Sequence, residues 1–252
     1  MKLGLIQTKQ NILYDFANPH TFSAEERLGL SGEMVEQNIR LINEAAALGA
    51  DLILTSEAIN FTGTPVDRET FDIIPEYDED GGVIKRLRDI SAKTGSAIVA
   101  GLYNRRGGKA YNSAVYIDRG GAVLEIYDKN NLAGDENIAL TPGTEQKVFD
   151  TEFGRIALLI CWDMQQPEFV KQTAELGAEL ILCPTWGWEM QYGLKRATEN
   201  NANIAVAMGV PYGSPIEGVR DPSMLLLRDG SIVKQASRDK AEALIANVEI
   251  RN

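Results

Sequence analysis

An α/β fold is predicted, a four-layer α-β-β-α sandwich built from two mixed sheets with an internal pseudo-twofold. Three observations predict it. Ala46-Ala-Leu-Gly-Ala-Asp-Leu-Ile-Leu-Thr55 matches Ala174-Glu-Leu-Gly-Ala-Glu-Leu-Ile-Leu-Cys183 almost residue for residue, and each reads as a helix end, a glycine stop and a buried strand. The elements flanking the two copies fall in the same order. Each half then closes on a β-hairpin, which adds antiparallel strands to parallel ones.

In the first half, the apolar residues of 2–8 read as a strand. Residues 11–32 lack a strong period and are expected to form a long surface loop that covers a cleft or meets a partner subunit. Residues 33–48 carry helical periodicity, 51–55 form a short buried strand, 83–94 a second helix and 97–103 a third strand. A hairpin over 112–127 turns at Arg119-Gly-Gly. The second half repeats this order. A strand over 155–161 precedes a helix over 167–176, with Pro167 in its first turn. A strand ending at Cys183, a helix over 192–200 and a strand over 204–210 follow. The Gly- and Pro-rich residues 212–222 read as a loop, and a hairpin over 222–234 turns at Asp229-Gly. Neither half could bury its inner sheet face alone, so residues 1–252 are expected to form a single domain.

Composition narrows the function. The 252 residues carry a net charge of −11, and no basic block appears, which argues against nucleic acid or an anionic membrane as partner. No apolar run approaches the length of a membrane span. The apolar stretch after Met1 is too short for a signal peptide and reads as the first strand. Two cysteines without a CxxC pattern point to a reducing compartment, hence the cytoplasm. The single histidine, His20, lies in a polar segment and reads as a surface residue. Without a second histidine a His-rich zinc site is not available, and acid–base work falls to carboxylates and lysines.

Strands of α/β sheets present ligand-binding residues beyond their carboxyl ends. Three such ends carry chemistry. The strand at 51–55 runs into Ser56-Glu57, the hairpin strand at 123–127 into Asp128-Lys129, and the apolar run 156–160 into Cys161. A thiol at a strand-to-helix junction, near amide N–H groups and a helix dipole, is expected to favour thiolate. Each residue taken singly has a plain alternative: a solvated glutamate, a surface lysine, a packed cysteine. Together they form a coherent nucleophilic site. Cys183, which ends a buried strand, reads as a packed structural cysteine. Trp186 and Trp188 are as readily interface packing as a pocket wall. Arg196, Glu199 and Asn200 read as a brace for their helix.

These residues resemble the nitrilase, or carbon–nitrogen hydrolase, superfamily. The resemblance rests on Asp51-Leu-Ile-Leu-Thr-Ser-Glu57, Tyr127-Asp-Lys-Asn-Asn-Leu-Ala-Gly-Asp-Glu136 with Thr141-Pro-Gly143, Cys161-Trp-Asp-Met-Gln-Gln-Pro-Glu168 and Arg196-Ala-Thr-Glu-Asn200, in that order along nearly the whole chain. It implies the α-β-β-α fold, homodimers or larger assemblies, and a Glu57-Lys129-Cys161 triad supported by Glu136 and the Trp162 backbone N–H. It implies a thioester route that needs no metal or organic cofactor, acting on a small-molecule amide, ureido compound or nitrile. Asp163, Pro167 and Glu168 are similar to the amidase and N-carbamoyl amidohydrolase branches. Asn130 and Asn131 stand where many relatives have histidine, which bears on the substrate. Gln165 and Gln166 bring no positive charge for a substrate carboxylate. A nitrilase and a catalytically silent binding member remain the alternatives. On this reading, Cys161→Ala and Lys129→Ala each abolish hydrolysis without unfolding the protein.

Overall fold

A computed structural model describes residues 1–15, 20–63, 68–218 and 220–250. The first half runs β1 (Lys2–Lys9), α1 (Ala24–Ala47), β2 (Leu52–Leu54), a short α2 (Arg68–Asp72), α3 (Gly82–Thr94), β3 (Ala97–Arg106), β4 (Lys109–Ile117) and β5 (Val123–Asp128). A four-residue α4 (Glu136–Ala139) leads to β6 (Lys147–Thr151) and β7 (Gly154–Leu158). Then come α5 (Pro167–Glu175), β8 (Leu180–Thr185), α6 (Met190–Asn200), β9 (Asn203–Val210), β10 (Met224–Leu226), β11 (Ile232–Gln235) and β12 (Glu242–Asn247).

The strands order as β12-β1-β2-β3-β4-β5 and β6-β7-β8-β9-β10-β11, joined where Thr8 and Lys9 of β1 pair with Gly209 and Val210 of β9. In each array three parallel strands are flanked by antiparallel ones: β1, β2 and β3 in the first, β7, β8 and β9 in the second. β12 therefore stands to the first array as β6 stands to the second. The predicted duplication and its two hairpins are present, and the fold is the expected α/β sandwich.

Side-chain alternation explains the layers. Leu3, Leu5, Leu52, Leu54, Ala97 and Val99 point into the core shared with Ile156, Leu158, Leu180 and Leu182 of the other sheet. Ile6, Ile53, Ile98 and Ala100 point the opposite way, toward Leu41, Ile42 and Ala45 of α1 and Ile84 and Leu87 of α3. Both faces of these strands are buried, so they read as continuous apolar runs. Full burial of each leucine, isoleucine or valine among them contributes on the order of 1.5–3 kcal/mol.

Four features depart from the expected order. Helix α1 begins at Ala24, not at residue 33, so most of the expected 11–32 loop is helix or turn, with 16–19 outside the described residues. Ser23 and Glu26 form a capping box: Ser23 Oγ accepts from Glu26 N at 3.3 Å and Glu26 Oε2 accepts from Ser23 N at 2.8 Å. The first two turns are largely exposed and so carry no apolar period. β3 and β4 extend to meet at Gly107-Gly108, both at positive φ (56° and 76°), as a two-residue hairpin turn requires. β6 and β12, half-exposed edge strands, were not foreseen. Finally, β7 stops at Leu158, because the Ile160 N–H turns away from the ladder and donates to Asp163 Oδ2 at 2.9 Å.

Candidate active site

Three sheet ends and one loop deliver the polar side chains. Glu57 follows β2 in a tight turn with Ala58 at φ 44°. That turn lies against β3 at Gly101, where a Cβ would fall 2.7 Å from Ser56 O and 2.8 Å from Glu57 Cα. Only glycine fits there. Lys129 directly follows β5, its N–H donating to Asn112 O at 2.8 Å and its carbonyl accepting from Gly143 N at 2.9 Å. Glu136 opens α4. Cys161 begins a single 3-10 turn, Cys161–Gln165, at φ 46°, a left-handed conformation that costs a non-glycine residue of order 1–3 kcal/mol. The strain turns the sulfur out of the strand line and into the cleft.

The expected residues meet. Lys129 Nζ donates to Glu57 Oε1 and to Glu136 Oε2, each at 2.8 Å. Glu57, Lys129, Glu136 and Cys161 line one cavity of about 260 Å³ with Tyr103 and Trp186. The lysine and Glu57 side chains are at most 2% exposed, so the pair is shielded from solvent screening. Isolated, each charge would be prohibitively costly there; paired and hydrogen-bonded, both persist.

Of the partners that surround them, Asn112 and Ala133 were not singled out from the sequence, and Trp186, Asp163 and Asn131 were read without these contacts. Asn112 on β4 donates from Nδ2 to Glu57 Oε1 at 2.7 Å and to Glu136 Oε1 at 2.8 Å, bracing both acids. Trp186 donates its backbone N–H to Glu57 Oε2 at 3.0 Å and its indole N–H to Glu57 O at 2.7 Å. It is thus a wall of the site and a clamp on Glu57. Ala133 N donates to Glu136 Oε2 at 2.8 Å. Asp163, fully buried, accepts from Ile160 N, Tyr127 Oη, Asn131 N and Asn131 Nδ2 at 2.7–2.9 Å. It ties the cysteine turn to the lysine loop, and Asn131 supplies two of the four bonds. A polar residue in an otherwise apolar, strand-bound stretch, as at Asn112, was the one signal available.

The electrostatics correct one expectation. Burial pushes the Cys161 thiol up to about 11 and the Glu57 charge adds to this, while Lys129, the Thr185 hydroxyl and the Trp186 N–H pull it down. The sulfur therefore rests as thiol, not thiolate. It begins a 3-10 turn, and Gln166 separates that turn from α5. Burial also lifts the Glu57 carboxyl above its ordinary range, against the opposing Lys129 charge. Burial works against the Lys129 ammonium, but Glu57, Cys161 and Glu136 hold its value well above the usual one.

Cys161 and Trp186 also line a second, wider lobe of about 500 Å³, which includes Gln10, Tyr14, Trp162 and Arg220. The Trp162 side chain is 46% exposed and faces this lobe rather than the lysine. The start of the expected 11–32 loop does reach the cleft: Tyr14 Oη donates to Ala58 O at 3.0 Å, and its ring packs edge-on against Trp186. Cys183 is buried, as expected of a packed cysteine. His20 is exposed beside Asp15, and Arg196 is buried and bonded to Glu199. No group of three or more His, Cys, Asp or Glu among the described residues is arranged to hold a metal ion.

A buried acid–lysine–acid cluster at the mouth of an α-β-β-α sandwich, with a cysteine on a strained turn beside it, defines a class of cysteine-bearing α/β protein. The chain belongs to the carbon-nitrogen hydrolase family, whose model matches residues 4–251. It is 30% identical over 151 residues to a citrullinase of Francisella tularensis (57% of this chain, 52% of that protein) and 32% identical over 152 residues to the N-carbamoylputrescine amidase of Arabidopsis thaliana (58% and 51%). The matches thus span about half the length of these relatives. A nitrilase of Pyrococcus abyssi is 30% identical over 220 residues, 84% of this chain and 81% of that protein. Among solved structures, an amidase from Nesterenkonia sp. AN1 superposes with a TM-score of 0.72 at 26% identity, over 98% of this chain and 93% of that one. That amidase has been captured with acrylamide added at its active-site cysteine.

Proposed function

We propose that this protein hydrolyses a non-peptide C–N bond of a small amide or N-carbamoyl compound through a thioester on Cys161, releasing ammonia. The observation that carries this is the Lys129 ammonium held at 2.8 Å by both Glu57 and Glu136 in the cavity that Cys161 lines. With a thiol near 11, the sulfur needs a base as it attacks. Glu57, raised but still paired to the ammonium, takes that proton and passes it to the departing amine. Lys129 and the Trp162 backbone N–H face the developing oxyanion, a contribution commonly worth about 10²–10³ in rate per donor. Ammonia leaves, and Glu57 then activates the water that opens the thioester, general-base help typically worth about 10²–10⁴. Glu136 and Asn112 hold Lys129 and Glu57 in place.

The amidase of Nesterenkonia, alkylated at its active-site cysteine, supports the nucleophilic cysteine that the thioester route requires, and the N-carbamoylputrescine amidase supports ureido substrates. Exposed Leu176 and Tyr192, near the packed pair α5 and α6, suit a homodimer. No described helix is long and apolar enough to cross a membrane, which agrees with a cytoplasmic enzyme. The test is ammonia and carbon dioxide release from a panel of amides, ureido compounds and nitriles. Ammonia without carbon dioxide from amides, or with it from ureido compounds, is expected. Turnover of nitriles alone would make it a nitrilase. Turnover surviving in pure Cys161→Ala protein would overturn the mechanism, and no turnover of any class would favour a silent binding member.

A further inference from the structure

The turn at the end of β8 touches both Glu57 and Cys161. Trp186 clamps the carboxylate, and the residues on either side of it close on the sulfur. Cys161 Sγ donates to Gly187 O at 3.7 Å. Thr185, the last residue of β8, is fully buried. Its hydroxyl donates to the same carbonyl at 3.0 Å and accepts from Gly187 N at 3.1 Å. The hydroxyl is also a hydrogen-bonding neighbour of the sulfur itself. One carbonyl oxygen thus receives two donors that adjoin each other, and one of them is the nucleophile.

The bonding capacity of a hydroxyl sets the consequence. It has one hydrogen and two lone pairs. Gly187 N holds one lone pair and anchors the oxygen, so the hydrogen is divided between Gly187 O and Cys161 Sγ. A neutral thiol sulfur is a weak acceptor, and at rest the hydrogen lies on the carbonyl. A thiolate accepts a charge-assisted bond roughly twice as strong as a neutral one, and the preference reverses. Other groups face the sulfur. The Trp186 N–H is engaged by Glu57 Oε2 at 3.0 Å, and the Lys129 ammonium is held by Glu57 and Glu136. The Cys183 thiol beside it is kept protonated by burial. The hydroxyl differs from these: it redirects its hydrogen by turning about one bond while keeping its anchor at Gly187 N.

We infer that Thr185 is a further catalytic residue, a rotor whose hydroxyl turns from Gly187 O to Cys161 Sγ as the thiol gives up its proton. This rests on the reading of Cys161 as the nucleophile. The sulfur's proton passes to the Glu57 carboxylate, and the Thr185 hydrogen turns onto the charged sulfur. The sulfur's electron pair then forms the bond to the substrate carbon, and the hydrogen returns to Gly187 O. When water opens the thioester, the C–S bonding pair goes back to sulfur, and the same hydroxyl meets the leaving thiolate until Glu57 returns the proton. Gly187 lines the wider lobe, where water replaces the donors that its carbonyl loses. The bond to sulfur is therefore made to the charged form and not to the resting thiol, the kind of differential stabilisation that speeds a chemical step.

The experiment compares Thr185→Val, which keeps the shape and loses the hydroxyl, with Thr185→Ser, which keeps the hydroxyl and loses the methyl group. In Thr185→Val, kcat for a small amide is expected to fall about 10- to 100-fold with KM nearly constant. Iodoacetamide labelling of Cys161, followed by mass spectrometry below the thiol's midpoint, is expected to slow about 3- to 10-fold. That loss is smaller because a scarcer thiolate is also a stronger nucleophile. Thr185→Ser is expected to recover both. Labelling that is unmoved or faster in Thr185→Val, or that stays slow in a normally melting Thr185→Ser, overturns the inference and leaves Thr185 as a brace for its turn. A measurement on the native protein guards against a valine variant that does not fold. The S–H stretch of Cys161, taken as the Raman difference from Cys161→Ala, is expected at the lowered frequency of a thiol bonded to a carbonyl, and a free-thiol frequency overturns the inference. Absence of amide turnover in native protein that still shows the labelling pattern defeats the hydrolase reading and leaves the rotor in place.

Discussion

The hydroxyl of Tyr127 donates to the buried carboxylate of Asp163 at 2.7 Å. Tyr127 lies two residues before Lys129 and Asp163 two residues after Cys161, so this bond, with the two from Asn131, ties the lysine loop to the cysteine turn. Tyr127→Phe deletes it and leaves Asp163 with three donors. We expect a stability loss of about 1–2 kcal/mol and a kcat about 10-fold lower with KM nearly constant. Steady-state kinetics beside thermal melts will show it; full kcat in the phenylalanine variant would deny the bond any role in alignment.

Cys161 should behave as a protonated thiol at neutral pH. Its ultraviolet thiolate signal should appear toward pH 11 in the native protein, and alkylation by iodoacetamide should accelerate steadily up to that range while Cys183 stays unlabelled. The folded value exceeds the ordinary one of 9.0. The stability gained by keeping the proton is therefore complete below pH 9 and lost as pH climbs through about 11. Glu57→Gln removes one cause of the upward shift, so its thiol should titrate lower even as hydrolysis is lost. An unchanged titration in that variant would separate the two side chains electrostatically.

Cys161→Ala and Lys129→Ala should part company. The first removes a sulfur and should fold normally without hydrolysing anything. The second leaves Glu57 and Glu136 facing each other, buried and uncompensated, a situation that typically costs about 3–5 kcal/mol. The structure thus revises the expectation that both variants keep their fold. Denaturant unfolding of the two side by side decides it, and equal midpoints would mean that the acids shed their charge without cost.

Gly101→Ala places a methyl group against the backbone of Ser56 and Glu57. Overpacking of this kind costs about 1–3 kcal/mol, and here the movement displaces Glu57 from Lys129. We expect kcat to fall at least about 10-fold, the rate equivalent of some 1.4 kcal/mol. Native activity with lowered stability would show that the turn can yield without moving the carboxylate.

The sandwich was legible because its strands are buried on both faces and its two halves repeat; an apolar run bounded by glycine reads the same wherever it occurs. The strand ends at Glu57, Lys129 and Cys161 followed from that order, and the side chains do meet. What the sequence did not reveal lies where period is silent. The first turns of α1 face solvent, and only the Ser23–Glu26 box marked them. β6 and β12 are half-exposed edges without clean alternation. Asn112 and the bonds that converge on Asp163 take their meaning from three-dimensional neighbours far away in the chain. The protonation state of Cys161 was misjudged because burial and the carboxylate of Glu57 outweigh nearby amide dipoles.

Strand β12 closes the first sheet, although it is the last strand among the described residues. Residues 242–247 must therefore emerge from the ribosome before β1 gains its antiparallel neighbour. A nascent chain carrying only the first half would hold an unpaired apolar edge open to self-association. The two halves are interlocked rather than serial, and the first sheet is completed only once residues 242–247 have been made.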